Sequence, residues 1–245
     1  MSLAKIFGVH AAQSALDYSP KKVQQGWVDQ KRQDERLQGL IKGLKSKGVR
    51  LEKADRKKLD SLSKGGNHQG IVLEVEMPAM RSEQDLKAVV ESGKQVPFWL
   101  ILDHVQDPQN LGACLRIADA ASVQGVIVTK DQAVGITPTV CKVASGTAET
   151  VPVYQVTNLS RTLDWLKEQG IWIAGAAGEA EKNIYEMDVN MPIALVMGAE
   201  EKGMRRLTRE QCDFLVKIPM KGSVDSLNVS VAAGVMVYEI LRQRM

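Results

Sequence analysis

Apolar positions follow two rhythms along the chain, and the change between them marks its organisation. In the first 76 residues they recur at both helical and strand spacing. Residues 9–17 suit a short helix and 25–29 a brief strand. Within 32–46, Leu37, Leu40, Ile41 and Leu44 share one helical face, and Gly48 is placed to end that helix. Residues 49–53 alternate as a strand, Asp55 can cap a short helix through Leu62, and the turn-rich SKGGNHQG precedes an alternating strand at 71–76. This pattern predicts a small α/β sandwich over residues 1–76. Residues 77–96 form a linker with Pro78, a polar helical stretch at 82–91 and Pro97 just beyond.

From residue 97 onward the rhythm becomes strand, then helix. Continuous apolar runs at 98–102, 125–129, 151–156, 171–174, 193–197 and 214–218 suit parallel strands covered on both faces. Helices are expected near 110–121, 138–145, 159–168 and 205–211. A final one should start at Ser226 and run to about Arg242, burying Val229, Ala232, Ala233, Met236, Val237 and Ile240. The second lobe, 97–245, therefore predicts a doubly wound parallel α/β sheet, whose ligands sit beyond the carboxyl ends of its strands.

Charge divides along the same boundary. Residues 1–76 carry 15 Lys/Arg against 9 Asp/Glu, and the remainder 17 against 20, within a total of +3. A basic lobe joined to a mildly acidic one suggests a polyanion partner for the first, although a solvated basic surface reads the same way. The 245 residues, 44% of them hydrophobic, can bury a core without disulfides or metal. Cys114, Cys141 and Cys212 are far apart, and the first nine residues lack a signal-peptide run. A soluble, cytoplasmic protein is expected. His10, His68 and His104 make no metal constellation. No GxxxxGK[ST] or G-x-S-x-G is present.

Three loops at strand ends concentrate the polar chemistry. In the first, residues 102–116, Asp107-Pro108 sets up a turn and Asn110 offers a donor and an acceptor near a helix start. Arg116, six residues and nearly two turns on, is expected on roughly the same side as Asn110. In the second, residues 196–203, small residues let a ligand approach the backbone before Glu200, which can orient Arg116 or cap a helix. In the third, residues 218–232, Ser226 is a natural helix cap, and Asn228 is a polar residue inside an apolar helix that must be satisfied.

Taken in order, DPQNLGACLR at 107–116, MGAEEKGM at 197–204 and IPMKGSVDSLNVSVA at 218–232 resemble the three motifs of the SPOUT methyltransferases, TrmH-like branch. NHQGI at 67–71, VASGTAETVPV at 143–153 and RRLTREQCD at 205–213 extend the likeness over the full chain. They are similar to the branch's ribosomal-RNA guanosine-2′-O-methyltransferases. The resemblance implies a catalytic domain tied in a C-terminal trefoil knot and an N-terminal RNA-binding domain of the ribosomal-protein type. It also implies a homodimer whose active sites draw on both subunits. The cofactor it implies is S-adenosylmethionine, held by Gly198, Ile218, Met220 and Leu227 without a metal. The implied reaction is 2′-O-methylation of a guanosine in the P loop of 23S rRNA, with Asn110, Arg116, Glu200, Ser226 and Asn228 in the catalytic pocket. Here Glu200 would orient Arg116, which would stabilise the developing oxyanion, since a guanidinium holds its proton too tightly to be a base.

His104 and Ser122 stand where the branch often has glycine and are expected to affect packing. Against this reading stand a dinucleotide-dependent oxidoreductase, for which Gly175 to Gly178 supplies only a partial glycine turn, a non-catalytic RNA-binding protein, and a transfer-RNA substrate within the same family.

Overall fold

The computed structural model describes residues 3–93, 96–200 and 202–245. Lys94 and Gln95 of the expected linker, Glu201 of the second loop, and the first two residues of the N-terminal segment lie outside the described residues. Contacts divide the chain into two compact units. One runs up to Ala79 and includes Ile136–Glu149; the other comprises Met80–Gly135 and Thr150–Met245.

The first unit is a mixed four-stranded sheet with helices. In chain order its elements are β1 (Leu3–Phe7), α1 (Val9–Tyr18), β2 (Val23–Asp29), α2 (Glu35–Ser46), β3 (Arg50–Ala54), α3 (Arg56–Leu62) and β4 (Ile71–Glu76). The strand order is β1-β4-β2-β3. β4 is antiparallel to both its neighbours, whereas β2 and β3 run parallel. The helix expected from residue 32 starts at Glu35. Asp34 adopts an extended conformation there, and its carboxylate accepts the Leu37 amide, a strong N-cap. Leu37, Leu40 and Leu44 are buried on the predicted face. Gly48 has φ +82°, as a left-handed helix terminator requires. His68 is held on both sides: Nδ1 accepts the Gly70 amide at 3.0 Å, and Nε2 lies 3.1 Å from Asp60 Oδ1. That arrangement fixes the NHQG turn.

The second unit is built on a seven-stranded sheet. Its first elements are α4 (Glu83–Glu91), β5 (Phe98–Asp103), α5 (Pro108–Ala120) and β6 (Gly125–Thr129). Along the chain there follow α6 (Pro138–Ala144), which belongs to the first unit, and α7 (Thr147–Thr150), which belongs to it up to Glu149. Then come β7 (Val153–Val156), α8 (Leu159–Glu168), β8 (Trp172–Ala176), β9 (Lys182–Asn183), β10 (Ile193–Gly198), α9 (Arg206–Glu210), β11 (Phe214–Lys217) and α10 (Val229–Gln243). The order is β7-β6-β5-β10-β8-β11-β9, every pairing parallel. The chain proceeds outward from β5 through β6 to β7 and then crosses to the opposite half. The divide between β5 and β10 is therefore the topological switch point.

Both faces of this sheet are covered. Trp99, Ile101, Ile127, Tyr154, Ala194 and Val196 meet Leu86 of α4 and Leu159, Leu163 and Leu166 of α8 in one cluster. The alternate residues Leu100, Leu102, Leu195 and Met197 point the other way and are also buried; α10 packs against both β10 and α5. Gly125 opens β6 because an added Cβ would lie 2.8 Å from the Tyr154 ring and 3.0 Å from that of Trp99. Those rings meet edge to face with centroids 5.7 Å apart.

The structure departs from the expected boundaries where polar residues act. β5 and β10 each run one residue past their apolar stretch, pairing Asp103 with Gly198. The terminal helix begins at Val229, not Ser226, because Asn228 is its N-cap: Asn228 Oδ1 accepts the Ser230 amide at 3.0 Å and the Val231 amide at 3.4 Å. Ser226 lies in the preceding loop and donates to Asp225 at 3.2 Å. Among the described residues, no helix is long and apolar enough to cross a membrane.

Candidate active site

Three loops converge at the carboxyl ends of the central strands. The first follows β5 and opens α5, where Asp107 accepts the Gln109 amide and Pro108 occupies the first turn. Asn110 is thereby fixed one turn in and almost fully buried. The second follows β10. Ala199 and Gly203 exchange backbone hydrogen bonds of 3.1 and 2.8 Å, which folds the loop back over Gly198. A Cβ on Gly198 would sit 2.1 Å from the Gly203 carbonyl carbon and 2.2 Å from the Met204 nitrogen. No other residue fits. The third loop follows β11 and ends at the Asn228 cap.

Asn110, Glu200 and Asn228 close a hydrogen-bonded triangle. Asn110 Nδ2 donates to Glu200 Oε1 at 3.1 Å. Asn228 Nδ2 donates to Asn110 Oδ1 at 3.0 Å, and also to Glu200 Oε1. Asn228 has a second use beyond the triangle. It holds helix amides with its oxygen and the triangle with its nitrogen.

Two cavities meet at this triangle. The first, with about 620 Å³ of empty space, lies beyond β8, β10 and β11 against the start of α10. Gly198, Ile218, Met220 and Leu227 all line it, as does Ser226. Ala176, Ala177 and Gly178 after β8 complete its wall. That segment is the partial glycine turn weighed above for a dinucleotide, and its signal was small residues at a strand end. The second cavity, about 1060 Å³, opens beyond β5, and His104, Asn110, Gln132, Lys202 and Arg205 contribute to it. Glu200, Ala199, Gly203 and Val229 line both. Composition and periodicity gave no sign of this second cavity, because its residues come from four separate segments.

Arg116 is not part of this group within one chain. It is exposed and has no hydrogen-bond or ion-pair partner among the described residues, so within one chain Glu200 meets Asn110 and Asn228 and Arg116 does not reach it. The geometric reason is simple. Six residues of an α-helix turn through about 600°, leaving Arg116 about 120° away from Asn110. Asn110 faces inward and Arg116 faces out.

His104 and Ser122 both have left-handed backbones, with φ +62° and +53°. That explains why glycine suits these places. Ser122 follows the end of α5, where its amide bonds to Asp119. His104, expected to affect packing, lines the second cavity. The cysteines stay out of the chemistry. Burial pushes the thiols of Cys114 and Cys212 up to about 12 and that of Cys141 up to about 11. No cluster able to hold a metal ion occurs among the described residues.

The first cavity fits S-adenosylmethionine. Small residues expose backbone groups to polar ligand edges, Met197, Ile218, Leu227 and Met236 offer apolar surface, and the Glu200 and Asp225 carboxylates suit a sulfonium cation.

Comparison with known proteins agrees with this geometry. Residues 97–238 match the SpoU rRNA Methylase family, and residues 5–81 match the RNA 2′-O ribose methyltransferase substrate binding family. The chain is 53% identical over 239 residues to a 23S rRNA (guanosine-2′-O-)-methyltransferase RlmB from Shewanella oneidensis, covering 98% of this chain and 97% of that one. It is 51% identical over 240 residues to the protein of that name from Pseudomonas aeruginosa, covering 98% and 96%. Among solved structures, the SpoU methyltransferase AviRb from Streptomyces viridochromogenes, in complex with AdoMet, superimposes with a TM-score of 0.76. It is 26% identical and covers 98% of this chain and 89% of its own. The TrmH/SpoU tRNA modifying enzyme of A. aeolicus gives 0.57 at 30% identity, covering 66% of this chain and 83% of its own. The loops, the two joined cavities and these matches together establish that this chain belongs to the SpoU rRNA methylase family.

Proposed function

We propose that the protein transfers a methyl group from S-adenosylmethionine to the ribose 2′-hydroxyl of a guanosine in 23S rRNA, in the P loop of the peptidyl-transferase centre. The observation that carries this reading is the Asn110–Glu200–Asn228 triangle at the shared wall of two cavities. Such a wall is where a donor in one cavity meets an acceptor in the other. The RlmB relatives, matched over nearly the whole chain, supply the substrate.

When bound, S-adenosylmethionine supplies an electrophilic methyl on a sulfonium whose leaving thioether is neutral. The chain's own residues align and screen. Gly198, Ile218, Met220 and Leu227 bound the cofactor cavity, with Ser226 at its edge. Asn110, fixed by both Glu200 and Asn228, presents a rigid face to the nucleotide. Pre-organisation of this kind lowers the barrier by removing orientational freedom before reaction.

Arg116 acts in a second copy of the chain. Its exposure and its lack of a partner among the described residues support a homodimer in which each α5 delivers Arg116 to the neighbouring site, where it stabilises the developing oxyanion or the adjacent phosphate. The half-exposed Val231 and Tyr238, seven residues apart on α10, offer an apolar stripe for that association. Residues 1–76 serve as the RNA-binding domain, 77–96 as linker and 97–245 as the catalytic domain, working in the cytoplasm. The C-terminal segment is taken to form the trefoil knot that the family resemblance implies.

The test is transfer of tritium from labelled S-adenosylmethionine to unmodified RNA. Label in a 23S rRNA transcript, but not in tRNA, is expected. Label in tRNA alone would shift the substrate, and label in neither would end the enzymatic reading.

A further inference from the structure

The triangle and the cofactor cavity leave the RRLTRE run at 205–210 without a role. Two of its three arginines are ion-paired, Arg206 with Glu210 and Arg209 with Glu179. The side chain of Arg205 has no carboxylate partner among the described residues, and Arg205 lines the second cavity.

Arg205 is fixed at both ends. Its main-chain amide donates to Asp103 at 2.9 Å, a fully buried carboxylate that ends β5 in register with Gly198. Its guanidinium donates from Nη2 to Gln132 Oε1 at 3.0 Å. Gln132 follows β6 with a left-handed backbone, φ +54°. Its loop is tied to the loop after β5 by the Val134 amide, which donates to the Val105 carbonyl at 3.0 Å. A neutral amide thus holds the guanidinium without cancelling its charge. Nε and Nη1 have no partner among the described residues and remain available as donors.

The surroundings decide what such a group meets. Asp107, Glu200, Lys202 and Arg205 all line the cavity, two acids against two bases. Asp107 Oδ1 caps α5 and Glu200 Oε1 takes the amides of the triangle. The second oxygen of each has no protein donor among the described residues. A wall of mixed sign disfavours a phosphate and suits a neutral base with acceptors on one edge and donors on the next. Guanine is such a base: O6 and N7 accept side by side, while N1–H and the 2-amino group donate. A guanidinium matches the O6/N7 edge bidentately, whereas adenine places a donor where guanine has O6.

We propose that Arg205 reads the O6/N7 edge of the target guanine in the second cavity, with Gln132 as its positioning residue. The proposal rests on the methyl-transfer reading above and adds to it the residue that selects guanosine. With the base seated there, its ribose falls toward the wall shared with the cofactor cavity, where Ala199, Glu200, Gly203 and Val229 line both.

The experiment uses the full chain and 23S rRNA ligated from segments, so that the target position carries either guanosine or 7-deazaguanosine, in which C–H replaces N7. The quantity measured is kcat/KM for the wild type, R205M and Q132G. Arg205 is exposed, and the amide that anchors it belongs to the main chain. Glycine suits the left-handed backbone at 132. Both variants should therefore melt within about 2 °C of the wild type, as surface substitutions do, and bind S-adenosylmethionine within about twofold of it. The wild type should lose about 5-fold or more on 7-deazaguanosine, within the range of one base contact. R205M should lose at least as much on guanosine and then separate the two RNAs by less than about twofold, because the partner of N7 is already gone. Q132G should narrow the same ratio at unchanged Tm, which loss of a merely structural side chain would not do. Wild-type indifference to 7-deazaguanosine would overturn the proposal. So would a full ratio in either variant; in R205M, a uniform loss on both RNAs is the mark of a phosphate contact. A wild-type protein that methylates no RNA would instead remove the reading on which the proposal stands.

Discussion

Replacing Asn228 separates two effects that one amide combines. Asn228→Ala removes the cap of α10 and should cost about 1 kcal/mol, lowering Tm by about 2–4 °C in a chain of this size. Asn228→Asp retains the capping oxygen but sets a second carboxylate against Glu200. It should melt near the wild type in calorimetry while methyl transfer collapses. Gly198→Ala should fail earlier, since its methyl would enter the backbone at Gly203. Isothermal titration should find no cofactor binding even where the protein remains folded. Arg116→Lys should lose about 10²-fold in turnover, the scale of one missing oxyanion donor, with cofactor affinity intact. At this scale it was the family resemblance that pointed to Gly198, Ile218, Met220 and Leu227, and all four border one cavity. The sequence misled for Ser226, because the capping preference of serine is a local statistic, and Asn228 won through bonds to residues 118 and 28 positions away. Arg116 was misplaced by treating 1.7 helical turns as two.

Helix ends carry much of the acid sensitivity of the fold. Hydrogen bonds from Arg242 and Gln243 hold the Glu239 carboxyl near the end of α10 well below its ordinary 4.5, at about 2. The Leu37 amide and Arg32 lower Asp34 at the start of α2, and Ser82 lowers Asp85 at the start of α4. A carboxyl depressed on folding adds stability above its unfolded value, and that gain is lost as pH falls through the folded one. Melting temperature should therefore drop between about pH 4.5 and 2, and Glu239→Gln should flatten that drop while lowering Tm at neutral pH. The two rhythms of apolar residues revealed nearly every strand and helix. They missed β1, α7 and the two-residue β9, the last too short to carry a period, and ended β5 and β10 one residue early. The ladder extends to Asp103 and Gly198, where hydrophobicity stops and chemistry begins.

For the whole molecule, the proposed dimer makes a quantitative prediction. Mixing inactive Arg116→Ala and Glu200→Gln proteins should restore activity, because a mixed pair has one site with both groups intact. With random exchange of subunits, about a quarter of all sites recover. No recovery after demonstrated exchange would mean that each chain works alone. The sheet order, with its switch between β5 and β10, could not be read from periodicity, which reports how deeply a strand is buried and not which strand lies beside it. The charge division could be read. RNA affinity should fall steeply as salt rises, with a slope set by the phosphates neutralised.

Because Asn228 Oδ1 grips the Ser230 and Val231 amides while its nitrogen belongs to the triangle, two main-chain protons at the head of α10 are wired to the reaction centre. Deuterium uptake at those two positions can serve as a built-in gauge. Any ligand that tightens the centre should slow exchange there, with no label attached to the protein.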